Sequence, residues 1–96
     1  MANMTTPTVE KDLERVMKAL ANRRRLAALR IIKKRKEINV GDLAEALRLS
    51  FKATSKHLAV LVGAGILDKE QRSIQMFFWL SPDMPEAGKR IVSLIA

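Results

Sequence analysis

Two short helical patterns joined by only three residues place the strongest limit on how this chain folds. The first follows Asn39, a good N-cap residue, and repeats apolar positions at i, i+3, i+4 and i+7: Val40, Leu43, Ala44 and Leu47. The second follows Ser50, another N-cap residue, and its inner row is Thr54, Leu58, Leu61, Val62 and Gly65. Two helices joined this tightly, over about residues 40–64, are typical of a helix-turn-helix.

A predicted β-hairpin follows these helices directly, over about residues 66–80. Its second arm, residues 75–80, contains the single Trp and two of the three Phe, which favour a strand. The tip, residues 71–73, is polar and has no glycine, so the turn type stays open. A helix-turn-helix followed by a hairpin predicts a winged helix-turn-helix.

Further apolar patterns complete a single predicted domain over residues 1–96. They predict a first helix over about residues 8–20 and a second over about 22–35. A short strand is predicted over about 37–40 and a last helix over about 83–95. Asn22 is a good N-cap, and the spacing of Asp83 and Glu86 resembles a capping box. The expected fold class is mainly α with a small β-hairpin: about five helices, a short strand and a two-stranded wing.

Positive charge is concentrated in one part of the chain. There are 18 Lys and Arg against 10 Asp and Glu, a net charge of +8. Eight of these cations and no acid lie between positions 22 and 36: Arg23, Arg24, Arg25, Arg30, Lys33, Lys34, Arg35 and Lys36. Such a concentration of positive charge suggests a polyanionic partner, with nucleic acid favoured over an anionic membrane. The alternative is a solvated helix whose last turn carries cations that interact favourably with the helix dipole.

The outer face of the second helix in the helix-turn-helix pattern is polar near its start and small further along. Its residues, opposite the apolar row, are Lys52, Ser55, Lys56, Ala59 and Gly63. Cations and a hydroxyl in the first turns, without bulk behind them, suit entry into a DNA major groove. The alternative is a solvated face on an ordinary helical hairpin, but the wing that follows favours DNA binding.

Four stretches of the chain resemble, in the same order, the sequence motifs of one known family. Residues 19–26 (ALANRRRL) are similar to its helix opening, and residues 37–44 (EINVGDLA) to the segment that leads into its helix-turn-helix. Residues 50–58 (SFKATSKHL), with 64–67 (AGIL), resemble its recognition helix, and residues 76–80 (MFFWL) its wing strand. The family is the ArsR-type group of small dimeric winged-helix repressors, here without the cysteine metal site.

The resemblance implies a sequence-specific DNA-binding transcriptional regulator, a repressor that binds a pseudo-palindromic operator on double-stranded DNA as a homodimer. It implies that the recognition helix and the wing tip contact DNA through Ser50, Phe51, Lys52, Ser55, Lys56, His57, Gln71, Arg72 and Ser73. Phe51 replaces a common Gln and offers an apolar contact to a thymine methyl. Ser73 and Ile74 stand where the family commonly has a glycine and a basic residue.

The terminal helices are expected to pair across a two-fold axis, as in that family. Their apolar stripes should lie outside the core formed by the second to fourth helices, and a monomer would leave much of that surface wet. The expected pairing residues are Val9, Leu13, Val16, Met17, Leu20, Ile91, Leu94 and Ile95.

The composition also predicts what the chain does not do. With no Cys and one His, it lacks thiolate ligands and has too few imidazoles for a transition-metal site, so we expect no metal and no cofactor. No recognisable nucleophile accompanies His57, so we expect no enzyme. The chain opens without a basic-then-apolar leader, so we expect a cytoplasmic location and no membrane partner. The sequence identifies no inducer.

Several interpretations stay open at this point. His57 could contact DNA, act as a pH switch, or pack within the helix-turn-helix through a hydrogen bond. The basic residues 33–36 could steer association with DNA, or serve a membrane or a second nucleic-acid surface. The whole chain could instead be a winged-helix protein–protein interaction module or a non-specific DNA-binding protein.

Overall fold

The computed structural model describes the chain from residue 6 to residue 96, with side chains from residue 9 onward. In order it contains α1 (Thr6–Leu20), α2 (Arg23–Arg35), β1 (Glu37–Asn39), α3 (Val40–Leu47), α4 (Phe51–Gly63), β2 (Leu67–Arg72), β3 (Gln75–Leu80) and α5 (Glu86–Ser93). These helices and strands confirm the predicted fold class. It is a winged helix-turn-helix in which α3 and α4 form the helix pair and β2 and β3 the wing.

The predicted N-caps of α2, α3 and α4 all form. Asn22 accepts hydrogen bonds from backbone N–H groups in the first turn of α2. The side chain of Asn39 accepts from the N–H of Asp42 at 2.8 Å, and that of Ser50 accepts from the N–H of Ala53 at 3.0 Å. Because each cap satisfies an amide that its helix leaves without a partner, these residues determine where α2, α3 and α4 begin.

The wing is attached to the body of the protein by a third strand. The sheet has the order β1-β3-β2 and is antiparallel throughout. Ile38 of β1 pairs with Phe78 of β3, and both side chains are buried. The sequence predicts β1 as a strand but not its partner. This pairing ties the wing to the strand that leads directly into α3.

The core lies between α2, α3, α4 and the inner face of the sheet. Its fully buried aliphatic residues include Leu29, Ile32, Leu43, Leu58, Leu61 and Ile66. Burying a side chain of this size contributes about 1.5–3 kcal/mol. Because α4 supplies Leu58 and Leu61 to this core, its orientation is fixed and its opposite face is left to solvent.

The terminal helices differ from the predicted bounds. α5 begins at Glu86, and the predicted capping box is wrong, because Pro85 occupies the N-cap position without a side-chain hydrogen bond. The N–H of Asp83 instead donates to the hydroxyl of Ser81 at 3.2 Å, so Ser81 organises a turn ahead of the helix. α5 also ends two residues early, and α1 begins at Thr6, two residues before its predicted start.

The expectation that the whole α1 stripe lies outside the core is also wrong. Val16 and Leu20 are 2% and 4% exposed and belong to the core of their own chain, because α1 packs against α2, α4 and α5. Ile91 and Ile95 are half-buried against the same core. The predicted pairing residues that stay exposed are Val9, Leu13, Met17 and Leu94. None of the described helices is long and apolar enough to cross a bilayer.

Candidate nucleic-acid interface

The exposed face of α4 carries four of the nine residues predicted to contact DNA. Thr54 is buried with the two leucines of this helix, so the opposite face points into solvent. That face presents Phe51, Lys52, Lys56 and Ala59, with Ser55 half-buried. No acidic side chain in the described part of the chain pairs with either lysine. The start of α4 therefore offers two cations, one turn apart, that can bind an external anion.

Ser50, just before this face, is used by the helix itself. Its side-chain oxygen accepts from the N–H of Ala53, and its carbonyl accepts from the hydroxyl of Thr54 at 2.9 Å. Both bonds hold the first turn of α4 in place. Ser50 thus positions the residues that follow it, and its hydroxyl hydrogen remains available as a donor.

His57 belongs to a hydrogen-bonded cluster behind the exposed face. The Nη1 of Arg25 lies 3.2 Å from the Nδ1 of His57, and the same guanidinium donates to the carbonyls of Lys18 and Ala19 at the end of α1. Because a guanidinium only donates, His57 must accept through a neutral ring. Burial first, and then the charges of Arg25 and Arg24, lower the pKa of His57 from its ordinary 6.5. These contacts support the packing interpretation, in which His57 joins α4 to α2.

Arg72, predicted as a wing contact to DNA, is paired within the sheet. Its Nη1 and Nη2 donate to the two carboxylate oxygens of Glu37 at 2.7 and 3.2 Å, and its Nε donates to Glu70 at 2.8 Å. The guanidinium carbon lies 4.7 Å from the ring centroid of Phe77 and 5.7 Å from that of Trp79. Arg72 therefore joins β2 to β1 across β3 and covers two half-buried rings.

The same contacts determine the charge of this group. Hydrogen bonding to Arg72, and then its positive charge, lower the pKa of Glu37, while hydrogen bonds to Glu37 and Glu70 raise the pKa of Arg72. Counted by formal charge, Arg72, Glu37 and Glu70 together carry one net negative charge. The sequence shows a cation at the wing tip, but not that a carboxylate 35 residues away neutralises it.

The wing ends in an exposed isoleucine. Ser73 and Ile74 form a two-residue loop, and Ser73 has a φ of 58°, in the left-handed region that glycine usually occupies. The side-chain amide of Gln71 donates to the carbonyl of Ser73 at 3.2 Å. Ile74 is 93% exposed and, together with Phe51, lines a groove of about 310 Å³ between the wing and the start of α4.

The segment that builds this face matches a known family. Residues 22–69 match the family model described as bacterial regulatory protein, arsR family. The chain belongs to the ArsR family. The matched segment contains α2, β1, α3, α4 and the beginning of the wing. It therefore includes the helix pair, α3 and α4, and also α2, whose Arg25 contacts α4.

Two similar proteins are regulators of transcription. This ArsR-family chain is 35% identical over 83 residues to the transcriptional activator HlyU of Vibrio cholerae, covering 83% of this chain and 76% of that protein. It is 33% identical over 86 residues to the arsenic resistance transcriptional regulator ArsR1 of Pseudomonas putida, covering 90% of this chain and 62% of that protein. The protein is therefore a transcriptional regulator of the ArsR family.

Solved structures share its architecture. HlyU from Vibrio cholerae N16961 has a TM-score of 0.75 at 32% identity and covers 88% of both chains. The homodimeric winged helix-turn-helix DNA-binding domain Mb0332 from Mycobacterium bovis has a TM-score of 0.79 at 25% identity, covering 93% of this chain and 79% of that one. The ArsR-family fold thus extends over nearly all of the chain.

The four basic residues 33–36, at the end of α2 in this ArsR-family protein, have different surroundings. The Nζ of Lys33 donates to the carbonyls of Val92, in the last turn of α5, and Ile95, just after it, at 3.0 and 2.7 Å. Residues 34–36 are exposed. Lys33 therefore attaches α5 to α2, a role that sequence spacing does not reveal, while steering by residues 34–36 stays a prediction.

An apolar surface lies on α1, apart from the α4 face. Val9, Leu13 and Met17 are 61%, 44% and 55% exposed, and the last two line a shallow depression of about 360 Å³. Leu94 is 82% exposed just after α5, which packs against α1.

Among the described residues, no group of three His, Cys, Asp or Glu side chains is placed to hold a metal ion.

Proposed function

We propose that this regulator binds a pseudo-palindromic operator as a homodimer and represses transcription there. The observation that carries the proposal is the exposed start of α4, where Phe51, Lys52 and Lys56 protrude while buried residues hold the helix in place. A recognition helix presents its first turns to base edges, and this one combines cations, a hydroxyl and an apolar ring there.

The residues of α4 divide by position. Lys52 lies in the first turn, where a side chain reaches base edges, and it can donate to the O6 and N7 of guanine. Phe51 offers its ring to a thymine methyl. Lys56 lies one turn further along, and its proposed partner is a backbone phosphate. Ser50 and Ser55 contribute hydroxyls beside them, and His57 supports the helix from behind.

The wing contributes through its tip rather than through its cation. Gln71, Ser73 and Ile74 form the exposed end of the hairpin and would approach the minor groove. Arg72 is proposed as a positioning residue, because Glu37 and Glu70 already accept from three of its five guanidinium N–H groups.

Dimer formation is proposed to use the exposed apolar residues of the terminal helices, Val9, Leu13, Met17 and Leu94. Leaving such a surface in water is unfavourable, and pairing α1 and α5 with a second copy would cover it. Two-fold symmetry would then place two recognition helices about one DNA turn apart, roughly 34 Å. The similar Mb0332 domain is homodimeric, which supports the same assembly here.

Repression is proposed because a bound dimer occludes the DNA it covers. We propose that the protein acts in the cytoplasm, where a chromosomal operator would lie, and that it binds DNA without catalysing a reaction.

With no cysteine in the chain, we also propose that transition metals do not control it. Zinc, nickel, cadmium or copper ions should leave operator affinity unchanged within about twofold in a gel-shift titration. A tight stoichiometric metal complex that releases DNA would contradict this.

The test of the proposal is selection of bound duplexes from a random pool, with light scattering on the free protein. We expect a pseudo-palindrome with half-site centres about 10 base pairs apart and a dimer at micromolar concentration. Enrichment of no sequence, despite retention of DNA, would indicate non-specific binding. No retention of DNA at low salt would favour the protein–protein interaction module. A reporter carrying the selected site upstream or within a promoter then measures the sign of regulation.

A further inference from the structure

We propose that Ile74 is an apolar wedge that enters the minor groove beneath the wing and kinks the duplex there. The wedge would give the protein a preference for a flexible base step at a position that α4 does not touch. This inference rests on the proposed DNA binding and adds a specificity determinant to it.

The position of Ile74 in the hairpin is unusual for its chemistry. Turn positions favour glycine, asparagine, aspartate and other polar residues, whereas isoleucine is a β-branched strand former. Here Arg72 pairs with Gln75, so the loop consists of Ser73 and Ile74 alone. Ile74 is 93% exposed, more than any other large apolar side chain among the described residues. An apolar side chain this exposed at a tip is placed to enter a partner.

The charges around the tip favour a wedge over a phosphate contact. Residues 71–75 contain one charged side chain, Arg72, and its three donor nitrogens are bonded to Glu37 and Glu70. Three of the five guanidinium N–H groups are thus engaged within the sheet, which weakens the tip as a contact to the DNA backbone. Gln71 and Gln75 flank the isoleucine with amides, and amide N–H groups can donate to the adenine N3 and thymine O2 acceptors of the minor groove. Amides around an apolar wedge are a pattern that kinks DNA from the minor groove.

Side-chain contacts also fasten the wing to the body of the protein. The bidentate Arg72–Glu37 pair ties β2 to β1, and the guanidinium rests on Phe77 and Trp79. A mobile hairpin would yield when it met stacked bases, whereas this one is fastened to the strand that leads into α3.

The tip and the recognition helix lie on the same side of the molecule. Ile74 and Phe51 line one groove of about 310 Å³, so a duplex seated against α4 has its next groove near the tip. Because the groove between Ile74 and Phe51 is continuous with the exposed face of α4, the partner proposed for Ile74 is the same DNA that α4 binds. Pyrimidine–purine steps unstack most easily, so the preferred step should be TA or CA.

The experiment uses the duplex recovered by selection from a random pool, with 2-aminopurine placed at each step of the outer flanks in turn. Wild-type protein should raise the fluorescence of the probe at one step per half-site, because unstacking relieves its quenching. Circularly permuted fragments should show a bend of about 20° or more. The variants are Ile74→Asn, which suits a turn but cannot act as a wedge, and Ile74→Leu, which can.

We expect Ile74→Asn to lose the fluorescence rise and the bend. Its preference for TA or CA over an A-tract at that step should fall about fivefold or more, while its preference within the α4 half-site is kept. Ile74→Leu should restore all three. The side chain is exposed, so thermal unfolding should show both variants folded.

Two results would overturn the wedge. One is a straight, fully stacked duplex bound by wild-type protein, and the other is an Ile74→Asn variant that bends DNA like wild type. A change in oligomeric state in Ile74→Asn would instead assign the residue to an interface between copies and would also reject the wedge. If the selection recovers no sequence at all, the proposed operator binding fails, which is a separate result from either of these.

Discussion

The sequence predicts cations for DNA binding both on α4 and in the wing, but the structure places them in opposite surroundings. In α4, Lys52 and Lys56 have no acidic partner among the described residues. In the wing, Arg72 is bonded to two carboxylates and lies on two aromatic rings. A basic residue near DNA is therefore available for phosphate only where the fold leaves it without an internal acceptor. The comparison predicts that α4 supplies the electrostatics of binding and that the wing supplies shape.

The largest effect is expected at the first turn of α4. Lys52→Ala should remove the proposed hydrogen bond to a base edge, at a cost of about 1–3 kcal/mol per half-site, and relax the preference at one base pair. Operator affinity, measured against a set of single-base variants, tests this. Lys34→Ala, which removes an exposed lysine from α2, is the matched control and should keep the preference. Equal decreases in affinity for the two variants would place the base-reading residue elsewhere.

Lys56→Ala should have a smaller and more uniform effect. If Lys56 binds a phosphate, its removal weakens binding to specific and non-specific duplexes alike. The slope of log affinity against log salt should become shallower by about one unit for each phosphate that the lysine neutralised. Titrations at several salt concentrations on both duplexes measure this. A changed base preference with an unchanged slope would mean that Lys56 reads bases and would reverse the roles of the two lysines.

Mild acidification should weaken the Arg25–His57 contact that holds α4 and leave the Arg72–Glu37 pair of the wing unchanged. The pKa of His57 is lowered from 6.5, so the unfolded chain binds the proton more readily and the free energy of unfolding falls as pH drops below about 6.5. The pKa of Glu37 is lowered from 4.5, so the wing pair keeps its charges until more acidic conditions. Urea unfolding at pH 7.5 and 5.5 should show a decrease in stability that His57→Asn removes, since the amide oxygen can accept from Arg25 without titrating. An identical pH dependence in the variant would contradict this.

Signals that lie close together in the chain predicted much of the fold. The caps at Asn22, Asn39 and Ser50 act within three residues of themselves, and the apolar rows of α3 and α4 follow from helical periodicity alone. These signals place the exposed face of α4 correctly because the buried row determines what is left outside. The start of α5 was missed because Ser81, rather than Asp83, organises the preceding turn.

The interactions that could not be predicted join distant parts of the chain. Arg72 meets Glu37 only because β1 pairs with β3, and Lys33 meets Val92 only because α5, which packs against α1, ends beside that lysine. Likewise, Val16 and Leu20 belong to the same α1 pattern as exposed residues, and only the packing of α1 separates the two sets. Spacing along one element shows which residues share a face, but not which neighbour covers that face.

The most direct test of the contrast between α4 and the wing is the salt dependence of operator binding for Arg72→Gln beside Lys56→Ala. Gln keeps an apolar stem over Phe77 and removes the charge, and thermal unfolding confirms that the variant is folded. If Arg72 only positions the wing, the Arg72→Gln slope should be parallel to the wild-type slope, while Lys56→Ala is shallower by about one unit per phosphate. A slope that falls in Arg72→Gln and is unchanged in Lys56→Ala would show that the wing, and not α4, binds the phosphates.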